Sequence, residues 1–212
     1  MRHARRLATV LLIAITAPAF AQNSETDSSK TVQFRAPAPG TTLTFDDGTK
    51  LHFGRTTGFR TEVASEHKRY KPSKIELTHL FFVTRKEAGS NKQRYELKID
   101  GKTLWPLALG SKRPFKSALY HGDKLSSNHD ATLSVADKYG SWKLDGRTWR
   151  TVRVTIAGNW TSTKGRTGKY TIHFDYAPEL GFWVRNVTSF TRPNGKEAGG
   201  VRKLTKIETK KS

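Results

Sequence analysis

Two stretches of this chain alternate apolar and polar residues one for one, and this period of two constrains the fold more than any other feature. In Arg150–Ile156, Val152, Val154 and Ile156 fall on one side and Thr151, Arg153 and Thr155 on the other. In Lys169–Tyr176, Tyr170, Ile172, Phe174 and Tyr176 oppose Lys169, Thr171, His173 and Asp175. A strand turns successive side chains to opposite faces, so each segment buries one row and wets the other. Phe182–Phe190 and Val201–Ile207 continue the pattern. Turn formers separate these runs at Leu144-Asp145-Gly146, Gly165–Gly168, Pro178–Gly181 and Pro193-Asn194-Gly195. Half-wet strands joined by short turns predict antiparallel pairing. The expected fold is therefore mainly β: a single domain, residues 41–207, of curved or half-closed antiparallel sheet.

The N-terminal half carries weaker versions of the same signal. Thr41–Phe45 and Thr49–Phe53 flank Asp46-Asp47-Gly48. A loop ending at Gly48 sets Leu43 opposite Leu51 and keeps the apolar residues on one face, a turn that needs positive φ at its last residue. Similar reasoning predicts a hairpin of Arg94–Ile99 with Thr103–Leu107, placing Leu97 opposite Trp105. Ser73–Lys86 is ambiguous. Ser73 and Glu76 form a capping-box pattern, while the β-branched and aromatic content of Thr78–Thr84 tips the reading towards strand. Ser111–Gly140, rich in Gly, Ser, Asn and Asp, reads as a long connection with one short strand at Ala131–Val135.

The N-terminus has the make-up of a secretory signal. Cationic Met1–Arg6 precedes an apolar run, Leu7–Phe20, and Ala19-Phe20-Ala21 supplies small residues for cleavage before Gln22. The run is shorter than the roughly 20 residues a membrane-spanning helix requires. Residues 1–21 are thus expected to be removed, residues 22–40 to form a flexible leader and residues 208–212 a basic tail. The product is expected to be periplasmic or secreted, with no transmembrane segment. With no cysteine in the chain and Met1 as its sole methionine, the processed protein has no thiol, disulfide or thioether chemistry, and no lipoprotein anchor.

Residues 170–185, YTIHFDYAPELGFWVR, carry an aromatic strand into a Pro-x-Leu-Gly turn and an aromatic-Val-Arg strand, through Tyr176, Pro178, Leu180, Gly181, Val184 and Arg185. This segment, preceded by TVRVTIAG at 151–158, resembles the part that closes the sheet in uncharacterised exported bacterial β-domains of the DUF3108-like kind. The resemblance implies a curved antiparallel sheet and an envelope location, and brings no catalytic residues with it.

Candidates for chemistry are sparse. His173 and Asp175 share the polar face of one strand, and Glu179 follows Pro178, so these three are the candidate catalytic residues of a hydrolase. No nucleophile elbow, Walker A loop, dinucleotide fingerprint or zinc-protease helix motif occurs, so neither metal nor cofactor is expected. The stronger signal is charge. The net +20 becomes +17 when Arg2, Arg5 and Arg6 are removed, and it is spread through Lys68–Lys71, Lys112-Arg113, Arg147–Arg153, Lys164–Lys169 and Arg202-Lys203. Such a field draws anions. Aromatic residues interleave with the cations, making Trp149, Arg150, Arg153, Lys169, Tyr176, Trp183 and Arg185 the candidate ligand-binding residues. The expected function is a non-enzymatic envelope protein that binds an anionic lipid headgroup, a glycan or an envelope protein, with nucleic acid a poorer fit. The alternative is a hydrolase acting on an anionic envelope polymer.

Overall fold

The computed structural model describes residues 30–99, 104–192 and 194–209. The signal segment 1–21, its cleavage point and the last three residues of the tail lie outside the described residues. In chain order the strands are β1 (Thr31–Val32), β2 (Thr41–Phe45), β3 (Lys50–Thr57), β4 (Arg60–His67), β5 (Tyr70–Thr78), β6 (Phe82–Ala88) and β7 (Asn91–Ile99). They continue as β8 (Leu107–Ala108), β9 (Lys112–His121), β10 (Lys124–Leu144), β11 (Arg147–Ser162), β12 (Thr167–Ala177), β13 (Phe182–Thr191) and β14 (Glu197–Thr209). The segment left open between helix and strand is a hairpin of β5 and β6, turned by His79 and Leu80 at positive φ.

Strands β1 and β8 form a small ribbon, and the other twelve close into an antiparallel barrel in the order β10-β11-β12-β13-β14-β2-β3-β4-β5-β6-β7-β9. The expected half-closed sheet is thus corrected to a closed one. The residues that close it are those read as a long connection: β9 and β10 supply the links from β7 round to β11. The hairpin expected between Arg94–Ile99 and Thr103–Leu107 does not form, because β7 pairs with β9 instead, Leu97 lying opposite Ser117. The β2–β3 hairpin has the predicted register. Leu43 faces Leu51, and Gly48 takes φ +84° at the end of the turn, a value open to glycine at no steric cost.

Closure is uneven around the wall. Between β6 and β7 the ladder consists of Arg85↔Arg94, Lys86↔Gln93, Glu87↔Lys92 and Ala88↔Asn91. Below it, Phe82–Thr84 of β6 have no ladder partner on the β7 side. The ring of Phe82 leans across this gap onto Phe115 of β9, with centroids 5.1 Å apart.

The two ends of the barrel differ. At the lower end lie the β3–β4, β5–β6, β10–β11 and β12–β13 turns, and there the N-terminal segment forms a plug. Residues 30–40 were expected to be a flexible leader and are docked instead: Thr31 and Val32 pair with Ala108 and Leu107, and Val32 is buried. Phe34 packs edge-on against Phe59 and Trp105, and Trp105 in turn meets Phe81 and Tyr176. The Tyr176 hydroxyl donates to the Arg35 carbonyl at 3.0 Å. Burying these rings supplies the apolar contacts that a polar leader would lack. The basic tail also begins later than expected, because Glu208 and Thr209 remain paired with Thr42 and Thr41.

Inward rows are apolar near the plug, with Leu43, Phe45, Leu133, Val154, Phe174 and Leu204 all buried. Outward rows carry Arg153, Lys169, His173 and Asp175 at positions where a membrane-embedded barrel shows an apolar belt to lipid.

Candidate ligand-binding cavity

An eight-stranded barrel is just wide enough for side chains to fill, and a wider one encloses space. Here the plug and the aliphatic layer above it fill the lower part, and a hollow with two adjoining lobes occupies the rest. The apolar lobe, about 840 Å³, is walled by Leu97, Phe115, Ile156, Trp160, Tyr170 and Phe190, with Arg192 at its upper edge. The polar lobe, about 670 Å³, combines Ile75, Leu77 and Phe174 with Lys71, Lys86, Asn186 and Arg202. The lobes share Phe81, Val83, Ile172 and Thr188 as walls. Neither lining contains an aspartate or glutamate among the described residues. Cavities of this size and character accommodate small organic ligands.

Burial favours the neutral forms of Tyr95, His129 and Tyr170 in the apolar lobe. Burial pushes the Tyr170 phenol up to about 12, helped by the carboxylate of Asp130. Burial also lowers His129, whose Nε2 lies 2.9 Å from the Ser127 hydroxyl. At the upper end the turns carry Lys68, Arg69, Lys164, Arg166 and Lys196. Two of the acids there are already engaged. Asp47 takes Arg202 at 2.8 Å and the Thr49 amide at 2.9 Å, and Asp46 accepts from the Lys203 amide at 2.9 Å. Although burial alone would raise Asp47, these bonds hold it below the usual carboxylate value. The open end is therefore rimmed mainly by positive charge.

Of the residues singled out from the sequence, Trp183 alone lines a lobe, the polar one, and the others lie elsewhere. His173 and Asp175 are on the outer face of β12, as the alternation implies. Asp175 is gripped by Arg153 at 2.8 and 3.2 Å and approached by Arg185 at 3.7 Å. The Nδ1 of His173 lies 2.9 Å from the Thr155 hydroxyl, and burial with the neighbouring Arg153 lowers its pKa. Glu179 sits in the lower β12–β13 turn, bound to Arg147 at 2.6 Å. The three candidate catalytic groups do not converge, and none lines either lobe.

The proposed aromatic-cationic surface is not assembled either. Tyr176 is fully buried under the plug, and Trp183 packs in the core on Phe45 and Phe182. Trp149 is buried with Arg147 stacked on it at 3.8 Å, and Arg150 lies over Tyr139 at 4.4 Å. Lys169 is exposed on the outer face. Tyr176 and Trp149 are thus consumed by packing in the filled part of the barrel, while Trp183 packs on Phe45 and Phe182 where it also lines the polar lobe.

Lys86 is the residue that alternation misplaces. Val83 faces inward opposite Leu77, so strict alternation puts residue 86 outside. A bulge at Thr84 shifts the register, so that Lys86 lies opposite inward-facing Ile75.

These features define a closed antiparallel β-barrel, plugged at one end and hollow at the other, with an apolar interior and a basic mouth. No family model matches the chain, and no curated protein matches it in sequence. Its likenesses are structural. They include the hypothetical lipoprotein YmcC from Escherichia coli K12, at 10% identity and a TM-score of 0.48 over 78% of this chain and 82% of that one. A Bacteroides fragilis protein described as exported, with a YmcC-like fold, follows at 12% identity and a TM-score of 0.42 over 84% of this chain and 100% of that one. A Parabacteroides distasonis protein described as a lipoprotein gives 12% identity and a TM-score of 0.41 over 84% and 99%. Overlaps this loose transfer no function, and none of these descriptions mentions DUF3108.

Proposed function

We propose that this chain is an exported, non-enzymatic carrier or sensor that holds an anionic amphiphile, its apolar part inside the barrel and its charged part among the basic residues of the mouth. The observation that carries this reading is the apolar lobe. A wall of Leu97, Phe115, Ile156, Trp160 and Phe190 around about 840 Å³ leaves apolar surface facing a hollow instead of packing it. Covering such surface is worth about 25 cal/mol per Å², so an acyl chain is stabilised there where a sugar is not. The basic rim adds the preference for an anionic head. The cationic and apolar N-terminus of the sequence supports export, and an envelope compartment offers such amphiphiles.

The arrangement gives the hydrolase reading nothing to build on, since Asp175 and Glu179 are each neutralised by arginine at separate places. The test is native mass spectrometry of the processed chain recovered from the cell envelope. An adduct that organic solvent extracts as an amphiphile is the expected result. A retained glycan, a stably bound protein or a ligand-free chain that takes up no added amphiphile would overturn the reading. Affinity for an anionic amphiphile should also fall as salt rises, because rim charges are exposed and screened.

A further inference from the structure

We propose that the two lobes are one ligand path and that Lys86 is its head-group residue, selecting an amphiphile whose head is a carboxylate or a phosphate monoester. This rests on the amphiphile reading of the cavity and adds where the charge of the ligand goes.

Three features of β6 and its neighbours single out Lys86. First, its side chain faces the interior. Its register partner is Ile75, and both line the polar lobe with Leu77 and Val83. Second, it is only partly exposed and lacks a carboxylate partner among the described residues. The next acid along the strand, Glu87, lies on the opposite face and is committed to Arg85 at 2.6 Å. A charge drawn inside a protein without a counter-charge is costly, and an incoming anion relieves that cost. Third, the competing cations are spent or shallow. Arg202 is held by Asp47, while Lys71 and Arg192 are exposed at the rim.

The route from head to chain follows from the shared walls. An anion at Lys86 lies in the lobe that Phe81, Val83, Ile172 and Thr188 bound, and these same residues bound the apolar lobe. Asn186 and Thr188 are adjacent inward positions on β13. Thr188 donates to Asn186 Oδ1 at 3.2 Å and Asn186 Nδ2 to the His173 carbonyl at 3.3 Å, which leaves the second amide hydrogen of Asn186 as a neutral donor on the wall of the polar lobe. A chain that leaves the head and passes these walls reaches Phe115 and Trp160 without crossing a charged side chain of either lining. Carboxylate and phosphate heads both suit an ammonium, so the chemistry they share is a compact anion on an aliphatic chain.

The experiment is isothermal titration calorimetry of the processed chain with laurate, dodecyl phosphate and uncharged dodecanol. Wild type is compared with Lys86→Met, Lys86→Arg and the rim variant Lys71→Met. The expected result is that wild type binds at least one of the two anions about tenfold more tightly than dodecanol. Lys86→Met should erase that preference while leaving dodecanol binding unchanged. Lys86→Arg should keep most of it, and Lys71→Met should weaken it less than about threefold. The better of the two anions identifies the head. Replacing a part-buried lysine by methionine removes an unpaired charge without removing bulk, so the melting temperature should hold or rise and show that the variant is folded. If Lys86→Met binds the anions as wild type does, or Lys71→Met is equally damaging, the head-group assignment falls while the amphiphile reading stands. If wild type binds none of the three, both fall.

Discussion

Adjacent glycines on β14 probe the two faces of the barrel wall. A Cβ at Gly199 would run into the Thr188 carbonyl and approach Ser189 Cα at 3.1 Å, backbone that cannot swing aside. At Gly200, whose register partner is the inward-facing Thr188, a Cβ meets nothing within 4 Å. Gly199→Ala should therefore destabilise by about 1–3 kcal/mol in chemical denaturation, whereas Gly200→Ala should stay within about 0.5 kcal/mol of wild type. Equal losses at both positions would mean that the hollow is not where the structure puts it. At this scale much of the fold is legible in the sequence. Val152, Val154 and Ile156 are buried as their alternation requires, and Leu43 meets Leu51 because one turn residue is glycine. Lys86 is illegible for an equally local reason: one unpaired residue at Thr84 reverses the faces of everything after it, and no sequence pattern marks that residue.

Among the elements, the β6–β7 contact is the weak seam of the barrel. Its ladder spans Arg85–Ala88 and Asn91–Arg94, while the lower part is bridged by the Phe82 ring. Amide exchange protection should therefore be lowest, among the barrel strands, in the seam-facing amides of Phe82–Thr84. It should be highest in the β10–β11 ladder that runs from Ser127↔Ser162 to Leu144↔Arg147. Hydrogen-exchange mass spectrometry resolves this at peptide level, and uniform protection around the wall would contradict it. The elements that sequence reasoning missed are the long pair β9 and β10. Strands announce themselves by burying a continuous apolar row. Here the upper inward positions of β9 and β10 include Ser117, Ser127 and His129, which line space rather than a packed core. The lost alternation and the ligand cavity are two signs of one cause. The candidate site was hidden for that reason, while the outer face of β12, with His173 and Asp175, was fully visible and lies away from both lobes.

For the whole molecule, acid should act through partly buried histidines. Burial lowers the folded-state values of His79, His129 and His173 below the ordinary 6.5. A histidine that titrates lower when folded takes up its proton first in the unfolded chain, so unfolding is favoured as pH drops from 6.5 towards the folded value. Stability is full above that range and declines through it. The melting temperature should fall between pH 7.5 and 5 by thermal denaturation, and His79→Gln with His129→Gln should flatten the decline. A profile rising towards pH 5 would reverse the assignment. The closed ring also could not be anticipated from its parts, because closure depends on β14 finding β2 and on β7 finding β9, pairings between strands that no hairpin joins.

Both ends of the described chain emerge on the same side. Lys30 leads into the ribbon beneath the plug, where its carbonyl accepts from Leu109, and Thr209 ends β14 beside Thr41. The mouth lies at the opposite pole. A bead, a fusion partner or a membrane held close to Lys30 or Thr209 would therefore stand behind the molecule, leaving the aperture turned outward and unshadowed.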